Sequence, residues 1–267
     1  MQIVRPRSLD EALDALAAHP AATLLAGGTD LMVRANYQGL RPDAVVALRR
    51  VPELQEMGGG FIGAGVTWSR LTSAPWPGLA QAARTVGSPQ IRAMGTLGGN
   101  LGTASPAGDG LPFLAAVEAQ IEVASRSGGR RALAWDEFLV GPKRNSLRPG
   151  ELILGVRLPA VLPERQGFAK VGARNAMVIS IASACLVRAA DGAVRIALGS
   201  VGPTPLRARR AEAMISAERH PSAAAVAEFG RLVAEEVRPI DDHRSTAAYR
   251  RHAAGVIARR LLERALA

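Results

Sequence analysis

LLAGGTDLMVR, residues 24–34, sets the fold of the first part of this chain. Thr23 to Ala26 is a short apolar run of the kind a buried strand uses. Gly27-Gly28 breaks it, and Leu31, Met32 and Val33 then open a helix through about Ala35, with Thr29 placed to cap it. Two glycines remove the side chains that would block close backbone approach, and a helix start presents unspent amides. Together these suit a phosphate. Upstream, Ile3 and Val4 form a short strand. Ser8 begins a helix, with Glu11 completing a capping box and Leu9, Ala12, Leu13, Leu16 and Ala17 as its apolar stripe. Downstream, Ala44 to Leu48 reads as a third strand. Strand, helix, strand, helix, strand indicates a small parallel sheet.

A second glycine-rich stretch, TLGGNLGTASPAGDGLPFLAAVEA, occupies residues 96–119. Gly98 and Gly99 again expose backbone amides, and Asn100 can hold such a loop through its side chain. Asp109 follows in a second turn, and Leu111 opens a helix. An acid beside a phosphate loop suits a hydroxyl group such as a ribose's. A Gly-Gly turn ahead of a helix is by itself usually only a turn. Two of them suggest a diphosphate held between two loops.

The middle of the chain departs from the alternating pattern. Short strands are expected at Phe61 to Gly65, Ile121 to Ala124 and Leu152 to Leu158, with helices at about 77–86 and 111–119. Pro159, Pro163 and the stretch between them mark a boundary. Beyond it come strands near Phe168 to Val171, Val178 to Arg188 and Val194 to Ser200, the last two joined by a turn at Ala190-Asp191-Gly192. Helices over about 207–217, 222–236 and 245–265 complete the chain. The expected class is α+β: residues 1–163 as one two-part domain (about 1–55 and 56–163), and 164–267 as an antiparallel sheet with a helical bundle.

Composition excludes several functions. Across 267 residues, 33 basic side chains face 23 acidic ones, a net charge of +10. Lys143 and Lys170 are the only lysines, and the arginines are scattered without interleaved aromatics. A nucleic-acid partner is therefore not expected, whereas an acidic protein partner would use the same charges. One cysteine makes neither an internal disulfide nor a cysteine-ligated iron–sulfur cluster within this chain. No apolar run reaches the roughly 20 residues of a membrane span, and the charged N-terminal stretch lacks a signal peptide's apolar core. A cytoplasmic protein is expected. Gly58, Gly60 and Gly63 satisfy G-x-G-x-x-G but precede a strand instead of following one, so no Rossmann site is read there. His19, His220, His243 and His252 are dispersed and read as surface residues. Cys185, in an apolar strand, reads as a buried structural thiol. Trp68, Trp76 and Trp135 read as core or interface anchors.

AGGTDL, GAGVTW and TLGGNLGTASPAGDGLPFLAA, in that order, together resemble the FAD-binding (medium) subunit of the molybdenum hydroxylases, the xanthine dehydrogenase and carbon monoxide dehydrogenase family. The likeness continues through GPKRNSLRPGELILGVRLP (141–159), FAKVGAR (168–174) and GSVGPTPLRARRAE, and so covers nearly the whole chain. It implies a PCMH-type FAD-binding fold. It implies that Ala26, Gly27, Gly28, Thr29, Asp30 and Leu31, with Thr96, Leu97, Gly98, Gly99 and Asn100, grip the FAD pyrophosphate. Asp109 matches a further FAD contact. Ile62, Ile153 and Lys170 enter only through the resemblance, as two aliphatic residues and a lysine near the flavin. A cation there would stabilise the anionic reduced flavin; the alternative for Lys170 is an exposed lysine at a strand end. The implied partners are an iron–sulfur small subunit and a molybdopterin large subunit in a dimer of heterotrimers. NAD, oxygen or a quinone would be the electron acceptor. Many relatives carry an acid where this chain has Asn175-Ala176-Met177-Val178, which leaves the acceptor open. A stand-alone FAD oxidase or reductase, and an assembly subunit that has lost FAD, are the other readings.

Overall fold

The computed structural model describes residues 1–267. The first unit contains β1 (Gln2–Val4), α1 (Leu9–Ala18), β2 (Thr23–Leu25), α2 (Leu31–Tyr37) and β3 (Ala44–Ala47). Its sheet is parallel, in the order β1-β3-β2, as the alternation required. Ser8 Oγ caps α1 by accepting the Glu11 amide at 3.1 Å. Only half of the capping box forms, because the Glu11 carboxylate takes the Arg7 amide, one residue upstream, at 2.7 Å. Thr29 does not cap α2. Asp30 flanks that helix without a side-chain bond, and Thr29 Oγ1 instead lies beside Gly95.

The second unit begins with β4 (Met57–Gly58) and β5 (Phe61–Gly63), a hairpin that turns on Gly59 and Gly60 at φ +56° and +76°. Both residues need the left-handed region that glycine enters without penalty. Gly58, Gly60 and Gly63 thus enter a strand through a turn, as read from the sequence; that the turn closes a hairpin with β4 was not read. Five helices follow: α3 (Trp68–Leu71), α4 (Pro77–Thr85), α5 (Pro89–Met94), α6 (Leu97–Thr103) and α7 (Leu111–Ala116). Next come β6 (Gln120–Ser125), β7 (Gly129–Ala134), α8 (Trp135–Phe138), β8 (Leu139–Gly141), β9 (Arg144–Asn145) and β10 (Leu152–Arg157). The antiparallel sheet runs β4-β5-β10-β6-β7.

The last unit has β11 (Arg165–Val171), β12 (Ala182–Arg188), β13 (Val194–Gly199) and β14 (Leu206–Arg207), antiparallel in that order. The helices α9 (Arg209–Ser216), α10 (Ala223–Glu236) and α11 (Ala247–Leu266) follow. The strand expected from Val178 starts only at Ala182. The Arg174 guanidinium donates to the carbonyls of Ala176 (3.0 Å) and Met177 (2.6 Å), and Met177 sits at φ +51°, so the apolar residues 177–179 are held in a loop. β12 is buried on both faces. Ala182, Ala184 and Leu186 face a core shared with α10 and α11, while Cys185 and Val187 join the core of the N-terminal units. The β11–β14 sheet is therefore a middle layer between the helices and the rest of the molecule. No helix is long and apolar enough to cross a membrane.

Candidate functional site

The two glycine stretches meet. A Cβ added to Gly27 would lie 1.8 Å from the Met94 carbonyl oxygen and 3.0 Å from Gly95 Cα, so the first turn rests directly on the backbone leading into the second. No backbone amide from Ala26 to Leu31 donates a hydrogen bond within the chain. All six residues are partly accessible, and Gly28 stands at φ +75°. An uncommitted run of amides entering a helix is an anion-binding arrangement.

The second stretch differs from its expectation. It is the start of a helix, α6, and its amides are committed. Leu97 donates to Val66 O (3.0 Å), Gly98 to Ala64 O (2.8 Å) and Gly99 to Thr96 Oγ1 (3.0 Å). These bonds pin TLGG to the GAGVT segment. A Cβ on Gly98 would strike Ala64 Cβ at 2.6 Å, whereas one on Gly99 would meet only Thr96 Oγ1, at 3.1 Å. Thr96 and Leu97 are buried. The second stretch thus contributes a closely approachable surface at Gly99 instead of free donors. Asn100 packs between Gly108 and Gly110, with its buried Oδ1 unpartnered.

Asp109 and Lys170, read separately from the sequence, form one ion pair. Lys170 Nζ donates to Asp109 Oδ2 at 2.6 Å and to the Thr85 carbonyl at 3.2 Å, and Thr85 Oγ1 lies 3.3 Å from the same carboxylate oxygen. The side chains are 8% and 7% exposed, which excludes the reading of Lys170 as an exposed strand-end lysine. Burial pushes the Asp109 carboxyl up to about 6, against the pull of Lys170 and the hydrogen bond from Thr85. Asp109 Oδ1 is buried and unpartnered. Lys170 therefore arrives already countered by an acid. Ile153, beneath α6, lies against Gly102, and Ile62 has no exposed surface. These two side chains belong to the core behind the loops.

The other readings of single residues resolve simply. Cys185 is fully buried, and burial pushes its thiol up, which suits an inert group. Trp68 and Trp135 are buried. His220, His243 and His252 are exposed and His19 is partly so. Sequence reasoning missed Thr85. It also missed a cluster joining the last unit to α7. Arg207 (3% exposed) donates to Glu212 at 2.5 and 2.7 Å, to Glu118 at 3.0 Å and to Ala115 O at 3.3 Å, and Arg195 donates to Ala116 O at 2.9 Å. Nothing local in the sequence marks these partners, which lie 79 to 92 residues from the α7 groups they hold.

Free amides on one glycine turn, an open glycine at the start of α6, and orphaned Asn100 and Asp109 oxygens together leave both donors and acceptors unspent. Residues 1–161 match the FAD binding domain in molybdopterin dehydrogenase, and residues 168–265 match the CO dehydrogenase flavoprotein C-terminal domain. The chain belongs to the family of FAD-binding medium subunits of the molybdenum hydroxylases; it is an oxidoreductase subunit whose cofactor is FAD. It is 31% identical to the glyceraldehyde dehydrogenase medium chain of Sulfolobus acidocaldarius, over 95% of this chain and 94% of that one. It is 30% identical to the xanthine dehydrogenase FAD-binding subunit of Escherichia coli O157:H7, over 98% and 95%. It also superimposes on carbon monoxide dehydrogenase from Hydrogenophaga pseudoflava with a TM-score of 0.89 and 30% identity, covering 99% and 96%.

Proposed function

We propose that this chain is the electron-transfer component of a molybdenum hydroxylase complex. It takes electrons from an iron–sulfur small subunit, fed by a molybdopterin large subunit, and passes them to NAD, oxygen or a quinone. When bound, FAD supplies the exchange between one-electron and two-electron carriers. The observation that carries the reading is the run of six unspent amides from Ala26 to Leu31, seated through Gly27 on the Met94–Gly95 backbone that leads into the second glycine stretch.

In this reading Ala26, Gly27, Gly28, Thr29, Asp30 and Leu31 receive the pyrophosphate. Thr96, Leu97, Gly98 and Gly99 shape the opposite wall, and Asn100 orients it. Asp109 offers Oδ1 to a cofactor hydroxyl or N–H. Ile62 and Ile153 back the cleft, and Lys170 holds Asp109 in place. With a single cysteine in the chain, the electrons must enter from clusters on another subunit. A subunit that had lost FAD would be free to fill Gly99, where an added Cβ meets only Thr96 Oγ1, and that position is open here. No acid stands at 175–178 next to the Lys170 strand, so an anionic acceptor meets no repulsion from that segment.

The test is an absorption spectrum of the purified chain with and without added FAD, followed by heat release and chromatography of the flavin. A flavin spectrum that Gly99→Asp abolishes in a folded chain supports the reading. A chain that takes up no FAD, alone or with its partner subunits, refutes it.

A further inference from the structure

We propose that Thr85 is the positioning residue that commits Asp109 Oδ2 and thereby leaves Oδ1 for the cofactor. This rests on the FAD reading above. Thr85 is the last residue of α4, so its carbonyl is one of the four that a helix end leaves without an intrahelical donor. That end also carries partial negative charge, which favours a cation. Lys170 Nζ meets both needs by donating to Thr85 O at 3.2 Å and to Asp109 Oδ2 at 2.6 Å. Without Lys170, Asp109 would be a buried anion beside the wrong end of a helix.

The hydroxyl makes the selection. Thr85 Oγ1 carries one proton and has two acceptors within reach, Ala82 O at 2.8 Å and Asp109 Oδ2 at 3.3 Å. When Asp109 is ionised the proton can turn to the carboxylate, and a hydrogen bond to the charged form is the stronger of the two choices. Oδ2 then has two donors while Oδ1, equally buried, has none. The carboxylate is held in rotation through Oδ2, and Oδ1 remains unspent. Three distant segments thus meet at one residue: the end of α4, the loop before α7, and β11.

The test uses the full chain with Thr85→Val, which keeps the shape and the carbonyl, and Thr85→Ser, which restores the hydroxyl. Asp109 is followed by carboxyl NMR titration in the absence of FAD, and FAD affinity by flavin fluorescence. Thr85→Val should move the Asp109 midpoint upward from about 6, because a bond to the charged form is lost. It should also weaken FAD binding about five- to twentyfold, and Thr85→Ser should return both to the parent values. An unchanged Asp109 midpoint overturns the proposal. So does an unchanged FAD affinity in a parent chain that binds FAD, including the case where only thermal stability falls. A parent chain that binds no FAD while the midpoint moves as expected sinks the cofactor reading and not the Thr85–Asp109 bond.

Discussion

Asp109→Asn isolates the energetics of the buried pair. In the parent, burial raises the carboxyl from an ordinary 3.8 to about 6 even with Lys170 at 2.6 Å, so desolvation outweighs the ion pair. The folded chain therefore binds this proton more tightly than the unfolded chain. The contribution of Asp109 to stability is complete below about pH 4 and is lost as pH rises through about 6. At 1.36 kcal/mol per pH unit, the loss approaches about 3 kcal/mol by neutral pH. The carboxamide of the variant has no such proton. The assay is urea unfolding of both proteins without FAD, from pH 4 to 8, followed by fluorescence of the buried Trp68 and Trp135. Plotted against pH, parent stability minus variant stability should fall by up to about 3 kcal/mol between pH 4 and 7 and then level off. Subtraction removes opposing contributions from groups such as Asp242, whose carboxyl is held down to about 2 by the Arg244 and Ser245 amides and by Arg250. A flat difference curve, or one that rises with pH, would refute the reasoning.

Gly27→Ala and Gly99→Asp should fail differently. The alanine Cβ would overlap Met94 O, so that variant should lose about 1–3 kcal/mol or more of stability in the same urea assay, along with FAD binding. The aspartate Cβ would meet only Thr96 Oγ1, so its unfolding midpoint should stay near the parent's while FAD affinity falls at least about a hundredfold, through like-charge repulsion with the pyrophosphate. Arg207→Met leaves the buried Glu212 with only the Ile196 amide and Arg209 at 3.8 Å, and should cost up to about 3–5 kcal/mol, read from the urea midpoint. Cys185 should react with a thiol reagent only as fast as the chain unfolds, since the sulfur is fully buried; rapid labelling under native conditions would contradict the packing of β12 against α4 and α7.

What was legible in the sequence was mostly local. The strand–turn–helix reading of 24–34 rests on adjacent residues, and the parallel sheet followed from alternation alone. The two glycine stretches do come together in the fold. The state of their amides was not legible, because that depends on which backbone lies opposite. Val66 O and Ala64 O, which consume the Leu97 and Gly98 amides, are 31 and 34 residues upstream by number, and no periodicity records their approach. The capping role assigned to Thr29 failed for a similar reason: its hydroxyl is turned toward Gly95 by a contact between loops. The strand from Val178 was over-extended because apolar composition does not register an Arg174 side chain that folds the backbone on itself. β7 was missed because GRRALA is too polar to announce a strand, and it forms on the sheet edge, where one side faces water. Lys170 gave a faint signal as one of two lysines among arginines. Its pairing with Asp109, 61 residues away, gave none.

The middle-layer sheet limits how this molecule can be divided by recombination. β12 supplies apolar side chains to both of its neighbours, and Lys170, Arg195 and Arg207 anchor the two ends of the Asp109–α7 segment. A chimera that exchanged residues 164–267 for those of a relative would inherit a new face against α4 and α7 and a new set of countercharges. The exposed stretch at Val161 would accept an inserted tag or a nick in the peptide chain. The two halves joined there are separable in sequence but not interchangeable in substance, and productive shuffling would have to carry the Asp109 segment and its basic anchors together.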